Sequence, residues 1–500
     1  MSTKPTDHEK LSADGVTVEY VAPALAVDPG AVLRKLDVRL VPLACLLYLL
    51  CFLDRANISN AKVAGMANDL HLTGVQFNLC VAITLIPHSM LQAPSNIMLK
   101  WIGPSRWLPL ITFIWGAILV AMAFYITVLT MPISVSVMQG TRILGSGPGE
   151  LRFPRFVMSP AHCYSEQAGI LPGLTYYISA WYPKSAQAKR IGIMYSGVSL
   201  AGAFGGLLAY VIEQMDGIGG LAGWSWIFVI EGLLTVVLAV YPEHATFLTE
   251  EERTWLLGTL KHDSAAGSKH FKREFIFQAL RDPKTYLFVT MYFLGAVPVV
   301  SFTTFLPTII NGLGYSSTSA QVLSIPPNAT GCIFTLIITY LSDKKHLRGP
   351  FILVGCPVTI IGYVMLLATK TPTIRYAGSI LVAAGLLPSV ATLLAWAGGN
   401  FAGELKRAVV LGMVIGFGNF GGIIASFIYR QQDSPRYILG HGVCIGSVSL
   451  FFVTCAFAMA TLYRLNQKKI AQCEREGITR DHVDRFAEMG DRSPLYRYTL

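Results

Sequence analysis

The sequence predicts an all-α polytopic membrane protein: twelve transmembrane helices in two six-helix, pseudo-symmetric halves. Three observations predict it. The 500 residues are 53% hydrophobic and 14% charged, with a mean hydropathy of +0.51, whereas a soluble domain carries about 25% charged residues. Apolar segments recur at lengths near ~20, which is what a hydrocarbon core of roughly 30 Å demands of a helix. Lys and Arg concentrate on alternate short loops, as they do on the cytoplasmic side of membrane proteins.

Taken in order, six spans fall in the first half, at 38–57, 75–99, 107–130, 133–147 continuing at 167–182, 191–213 and 224–241. Six fall in the second, at 285–310, 320–341, 350–369, 376–397, 408–429 and 441–463. The predicted organisation is a polar tail over 1–35, a first bundle over 36–241, a central loop over 242–284, a second bundle over 285–464 and a tail over 465–500. The central loop holds "LTEEER", a helix start with acidic residues where the dipole favours them. With both termini inside, the inner short loops hold Lys100, Arg106, Lys184, Lys189, Arg190, Lys344, Lys345, Arg348, Lys406 and Arg407. The outer ones hold only Lys62, Lys370, Arg375, Arg430 and Arg436. Two basic loops echo one another: "LKWIGPSRW" after span 2 and "LSDKKHLRG" after span 8. Six plus six with both ends cytoplasmic is the plan of a transporter whose halves rock about a midplane site.

The net charge of +10 is explained by the inner loops, and no basic stripe interleaved with aromatics indicates nucleic acid. The nine cysteines are scattered without a CxxC pair, which argues against a disulfide framework or a zinc site. The N-terminal stretch lacks the apolar region of a cleaved signal. No nucleotide loop, nucleophile elbow or zinc-protease motif occurs. The expectation is a non-enzyme without cofactor, driven by an ion or substrate gradient. The sequons at Asn57 and Asn328 touch spans and are set aside.

A charge in the bilayer costs at least about 2.5–3.5 kcal/mol on insertion scales, so it is a functional candidate by default. "CFLDRANIS" puts Asp54 and Arg55 late in span 1. Neighbours on a helix point about 100° apart, so the two do not simply neutralise one another. Arg55 can offer a planar fork to a carboxylate, and Asp54 can carry a proton; the alternative is an outer-leaflet anchor with Arg55 snorkelling. His88 follows Pro87 in span 2, where freed backbone lines cavities; the alternative is a satisfied interior histidine. Glu231 in span 6 relays protons or pairs with a cytoplasmic-side base as a structural lock. Asn419 sits among the glycines of "GMVIGFGNFGGIIAS" and needs a partner. Trp396 and Asn400 end span 10 as ligand contacts or interface anchors.

The stretches "FLDRANIS", "QAPSNIMLK", "IGPSRWLP", "AGILPGLTYYISAWYP", "SLAGAFGGLLAY", "GWSWIFVIEG", "FLTEEER" and "GDRSPLYRYTL" resemble those of fungal major facilitators of the anion:cation symporter family, which includes allantoate, nicotinate and pantothenate permeases. The resemblance runs from about residue 30 to the end. It implies proton-coupled symport of a small organic carboxylate by alternating access, in a plasma-membrane monomer with cytoplasmic termini. By the same resemblance Arg55 holds the carboxylate and Asp54 takes part in proton coupling, while His88, Trp396 and Asn419 line the site. Such proteins commonly carry Arg, six residues, then Glu-Ala-Gly in span 4. Here Gln167, which cannot titrate, precedes Ala168-Gly169, and Glu166 stands before it.

Deleting Pro148 to Ser165 leaves "RILGSGEQAGILPG", which returns Arg142 and Gln167 to one helix face, two turns apart. The removed block of 18 residues is therefore expected to be a retained intron or gene-model error rather than part of span 4. If it is kept, Arg142 and the acid beyond lose their register. Span 6, ending at Pro242, is also short. These two irregular spans support an alternative: a non-transporting nutrient receptor or an inactive product.

Overall fold

The computed structural model describes residues 28–61, 74–128, 168–239, 249–263, 274–315, 317–434, 436–479, 486 and 489–500. Arg142, Glu166, Gln167 and the block 148–165 lie outside the described residues. The first six span positions are occupied by α1 (Pro29–Ala61), α2 (Gly74–Ile102), α3 (Pro104–Val128), α4 (Ile170–Trp181), α5 (Gln187–Glu213) and α6 (Gly223–Ala239). Two loop helices follow, α7 (Glu250–Asp263) and α8 (Glu274–Arg281). Next come α9 (Pro283–Asn311), the short α10 (Ser317–Leu323), α11 (Ile325–Lys345), α12 (Gly349–Ala368) and α13 (Pro372–Asn400). Span 11 is split into α14 (Glu404–Gly418) and α15 (Gly421–Ile428), and span 12 is α16 (Ile438–Glu476). The fold class is as the sequence predicts: all-helical, with a helix at each of the twelve positions.

The helices form because a chain in hydrocarbon must satisfy every backbone group internally. Their outward faces stay apolar, with Leu233, Val237, Ile361, Leu450, Val453 and Phe457 exposed. The ends are set by local chemistry. Asp282 caps α9, accepting from the Lys284 N–H at 3.1 Å, with Pro283 in the first turn, where its missing N–H costs nothing. Gly477 closes α16 in the left-handed region at φ 57°, a conformation glycine adopts without strain. In "LTEEER" the Thr249 hydroxyl accepts from the Glu252 N–H and the Glu252 carboxylate accepts from the Thr249 N–H, a reciprocal capping box. Glu252 also binds Lys35 of α1 at 2.6 Å, which holds its carboxyl below the usual value.

Within the first half α1 lies along α5 and α3 along α6; within the second, α12 lies along α13 and α16. The most extensive contacts between the halves are α5 with α11 and α2 with α14. Small residues permit these contacts. A Cβ on Gly416 would stand 2.6 Å from the Ser89 carbonyl of α2. A Cβ on Gly202 would stand 2.8 Å from the Asn328 side chain of α11. Asn57 and Asn328 are both buried.

Candidate functional site

The late, polar part of α1 turns three side chains into protein rather than lipid. Asp54 and Asn57 are buried on one face, three residues apart, and Arg55 points elsewhere. Arg55 Nη2 donates to His88 Nε2 of α2 at 2.7 Å. Gln92, one turn beyond His88, directs its amide nitrogen to the same ring nitrogen at 3.0 Å. A guanidinium only donates, so His88 Nε2 supplies the lone pair here. His88 and Gln92 are fully enclosed. The Arg55 guanidinium stands 5.1 Å over the Phe52 ring.

Three buried tyrosines lie in the field of Arg55: Tyr48 of α1, Tyr195 of α5 and Tyr292 of α9. The Tyr48 and Tyr195 rings are 5.9 Å apart. Tyr292 belongs to the second half, so the cluster joins both halves. Asn419 lies at the break between α14 and α15, where a Cβ on the adjacent Gly418 would clash with Tyr292. Its side-chain nitrogen is buried and makes no hydrogen bond among the described residues. Interrupted helices are where midplane sites form in membrane transporters. Chemically, the cluster offers one fork of donors, an imidazole, two amides and aromatic walls.

Glu231 of α6 is buried. Its hydrogen-bond partner is an amide rather than a cytoplasmic-side base: Asn57 Nδ2 donates to Glu231 Oε2 at 2.6 Å, and the Asp54 carboxyl lies within reach. Trp115 of α3 also faces Asp54.

Trp396 and Asn400 are placed away from this cluster. They receive the chain's own C-terminal segment, 489–500, which folds back on the end of the bundle that carries the basic loops. Trp396 Nε1 donates to the Thr499 carbonyl at 2.7 Å, and Asn400 exchanges two hydrogen bonds with Thr499, at 3.0 and 2.8 Å. Tyr496 donates to the Gly399 carbonyl at 2.7 Å, and the Arg348 N–H donates to the Leu500 carbonyl at 2.6 Å. Trp396, read from the sequence as a ligand contact or an interface anchor, meets the tail here, because the last turn of α13 lies at the bundle end. Asp491 accepts from Lys284 and Lys406 at 2.5 and 2.7 Å, and Lys406 also reaches Asp282 at 2.7 Å. Burial raises the Asp491 carboxyl, and the two lysines outweigh that, holding it below its ordinary value.

The same end is where the halves close on each other. Asp343, in the second of the echoing loops, accepts from the Ala188 and Lys189 N–H groups at the start of α5, at 3.1 and 2.6 Å. Arg348 donates to the Lys184 carbonyl at 2.8 Å. In the first echoing loop Lys100 pairs with Glu404 at the start of α14. Arg407 donates to the Ser179 carbonyl at 2.7 Å, and Asn96 to the Ala408 carbonyl at 2.9 Å. Lys184 stands 3.7 Å over the Tyr496 ring. The sequence echo therefore corresponds to two matching cross-half locks.

Gln92, Asn57 and the three tyrosines escaped sequence reasoning. Gln92 had a signal, since it lies four residues after His88 on one helix face. Asn57 had one too, three residues after Asp54, but it was read as part of a sequon. The tyrosines had none, because a tyrosine in an apolar run looks like any other packed aromatic.

Residues 166–426 match the family described as Major Facilitator Superfamily. An uncharacterized transporter of Schizosaccharomyces pombe is 31% identical over 479 residues, covering 93% of this chain and 91% of the relative. An MFS-type transporter of Penicillium expansum is 31% identical over 94% of this chain and 90% of its own. The high-affinity nicotinic acid transporter of Saccharomyces cerevisiae is 27% identical over 93% of this chain and 84% of its own. Among solved structures, the proton:xylose symporter XylE bound to 6-bromo-6-deoxy-D-glucose aligns with a TM-score of 0.63 at 16% identity, covering 86% of this chain and 96% of that one.

Proposed function

The chain belongs to the Major Facilitator Superfamily, and from that premise we propose that it is a proton-coupled symporter of a small organic carboxylate of the nicotinate, allantoate or pantothenate kind. It is an integral membrane transporter, not an enzyme. The observation that carries the anion reading is the Arg55 guanidinium, half-buried in the helix bundle, whose Nη2 donates to His88 Nε2 at 2.7 Å. A guanidinium that donates to an imidazole nitrogen gains from exchanging it for a carboxylate, which binds it bidentately and with charge. The nicotinic acid transporter among the relatives agrees with a carboxylate cargo.

In this reading the anion enters from the end opposite the basic loops, and the basic end faces the cytoplasm at the plasma membrane. Cytoplasmic opening requires the Lys100–Glu404 and Asp343–α5 contacts to part, as alternating access demands.

The test is uptake of a labelled carboxylate panel by cells lacking their own permeases, with transport rising as external pH falls. Arg55→Ala is expected to lose uptake by at least about a hundredfold, the scale of removing one buried charge-assisted partner. Uptake by Arg55→Ala equal to that of the unaltered protein, at equal surface expression, would remove Arg55 from the site.

A further inference from the structure

We propose that Asp54 and Glu231 form one proton-binding unit spanning α1 and α6, with Asn57 holding Glu231 in place. The proposal deepens the symport reading and rests on it for its transport arm only. The geometry comes from three side chains. Asp54 and Asn57 stand three residues apart on α1, so both face the same neighbour. That neighbour is α6, where Asn57 Nδ2 donates to Glu231 Oε2 at 2.6 Å. The Asp54 carboxyl lies on the same face as Asn57 and within reach of the Glu231 carboxyl, and both residues are 3% exposed.

Two carboxyl groups in contact have only acceptors when both are ionised. A hydrogen bond between them therefore contains a proton, and burial makes two adjacent bare charges costly. Asn57 limits where the proton sits. Its N–H occupies Glu231 Oε2 as an acceptor, so any proton shared with Asp54 sits on Asp54 or on the other oxygen of Glu231. The groups facing the unit are Cys51 and Arg55 on α1 and Trp115 on α3; Asn57 faces Glu231.

Coupling follows from position. Arg55 is the residue after Asp54, and its guanidinium is turned toward His88. Without the shared proton the unit carries two negative charges beside that guanidinium and competes with any anion for it. With the proton it carries one. Proton loading thus strengthens the pull of Arg55 on an anionic ligand, and by linkage the anion strengthens proton binding to the same degree. That reciprocity gives symport rather than exchange.

The closing experiment has two arms on the full chain in lipid vesicles. The first needs no substrate. A hydrophobic carbodiimide reacts with protonated carboxyls in apolar surroundings, and peptide mass spectrometry locates the adduct. The unaltered protein is expected to carry an adduct on Asp54 or Glu231 in mildly acid buffer and to lose it in alkaline buffer. An adduct on neither residue, or a yield that ignores pH, overturns the proposal. The second arm measures carboxylate uptake against external pH in Glu231→Gln and Asn57→Ala. Glu231→Gln keeps the shape of the site but cannot titrate, so its uptake is expected to become flat with pH. A pH profile of Glu231→Gln matching the unaltered protein also overturns the proposal. If the unaltered protein carries no carboxylate, the symport reading fails, while the labelling arm still decides whether the pair holds a proton.

Discussion

At the residue scale, the central side chains are distinguished by what they can donate. Arg55 could be replaced by lysine without loss of charge, but an ammonium is a point charge and not a planar fork. Arg55→Lys is expected to raise the apparent KM for the transported carboxylate by about tenfold, the equivalent of roughly 1.4 kcal/mol, or one lost hydrogen bond to a charged group. Transport assays with the identified carboxylate check this; an unchanged KM would mean that the fork is not used. Gln92 shows how a residue joins a site unannounced. Its amide is ordinary in the sequence and becomes informative only once His88 stands 3.0 Å away.

At the element scale, the helices are held in place by close backbone approaches as much as by large side chains. The α2–α14 contact, which joins the two halves, is a place to test this. At Gly416 a Cβ would stand 2.6 Å from the Ser89 carbonyl and 3.3 Å from Gln92 Cβ. The first neighbour is backbone and cannot rotate away. Gly416→Val is therefore expected to destabilise the protein by about 1–3 kcal/mol, the usual range for overpacking. Thermal unfolding in detergent measures it, and an unchanged midpoint would contradict the close approach. The same contact positions Gln92 relative to His88, so this element-scale change reaches the site. The split of span 11 at Asn419 is likewise a property of the element: a run of glycines surrounds the break, and helix propensity there is low.

At the scale of the whole molecule, the C-terminal segment and the echoing loops bind the two halves at the basic end. The segment depends on a buried cluster in which Asp491 meets Lys284 and Lys406. Removing one partner of a buried charge pair costs about 3–5 kcal/mol, because the other charge is left uncompensated. Asp491→Asn is expected to release residues 489–500 and to expose them to a protease in intact inside-out vesicles; a segment equally protected in the variant would contradict this. The pH dependence has a definite sign. A carboxyl held below its ordinary value stabilises the docked state above the unfolded value, about 3.9. That stabilisation is lost as pH falls through the lower, folded value. The Asp491 contribution to docking is thus expected to fail only in acid below the carboxylate range. Lys469, which donates to the Asp491 and Ser493 carbonyls, is pushed down by burial to about 7, so docking is expected to tighten as pH rises above neutral, as the same protease assay would read.

What the sequence by itself determined was the set of helices, the plan of twelve, and the short list of polar side chains that hydrocarbon does not tolerate alone. Asp54, Arg55, His88 and Glu231 stand out because hydropathy is a local property, summed over a window of about 20 residues. Only the tertiary structure decided who meets whom. Arg55 finds His88 across 33 residues, Glu231 finds Asn57 across 174, and Trp396 finds Thr499 across 103. Such pairings depend on how each helix is rotated about its own axis. That rotation is set by which small residues let two backbones approach, and neither composition nor spacing along one helix carries it. For the same reason the sequence leaves Glu231 as a proton relay or the partner of a base, and only the fold puts it against an amide, with an acid in reach.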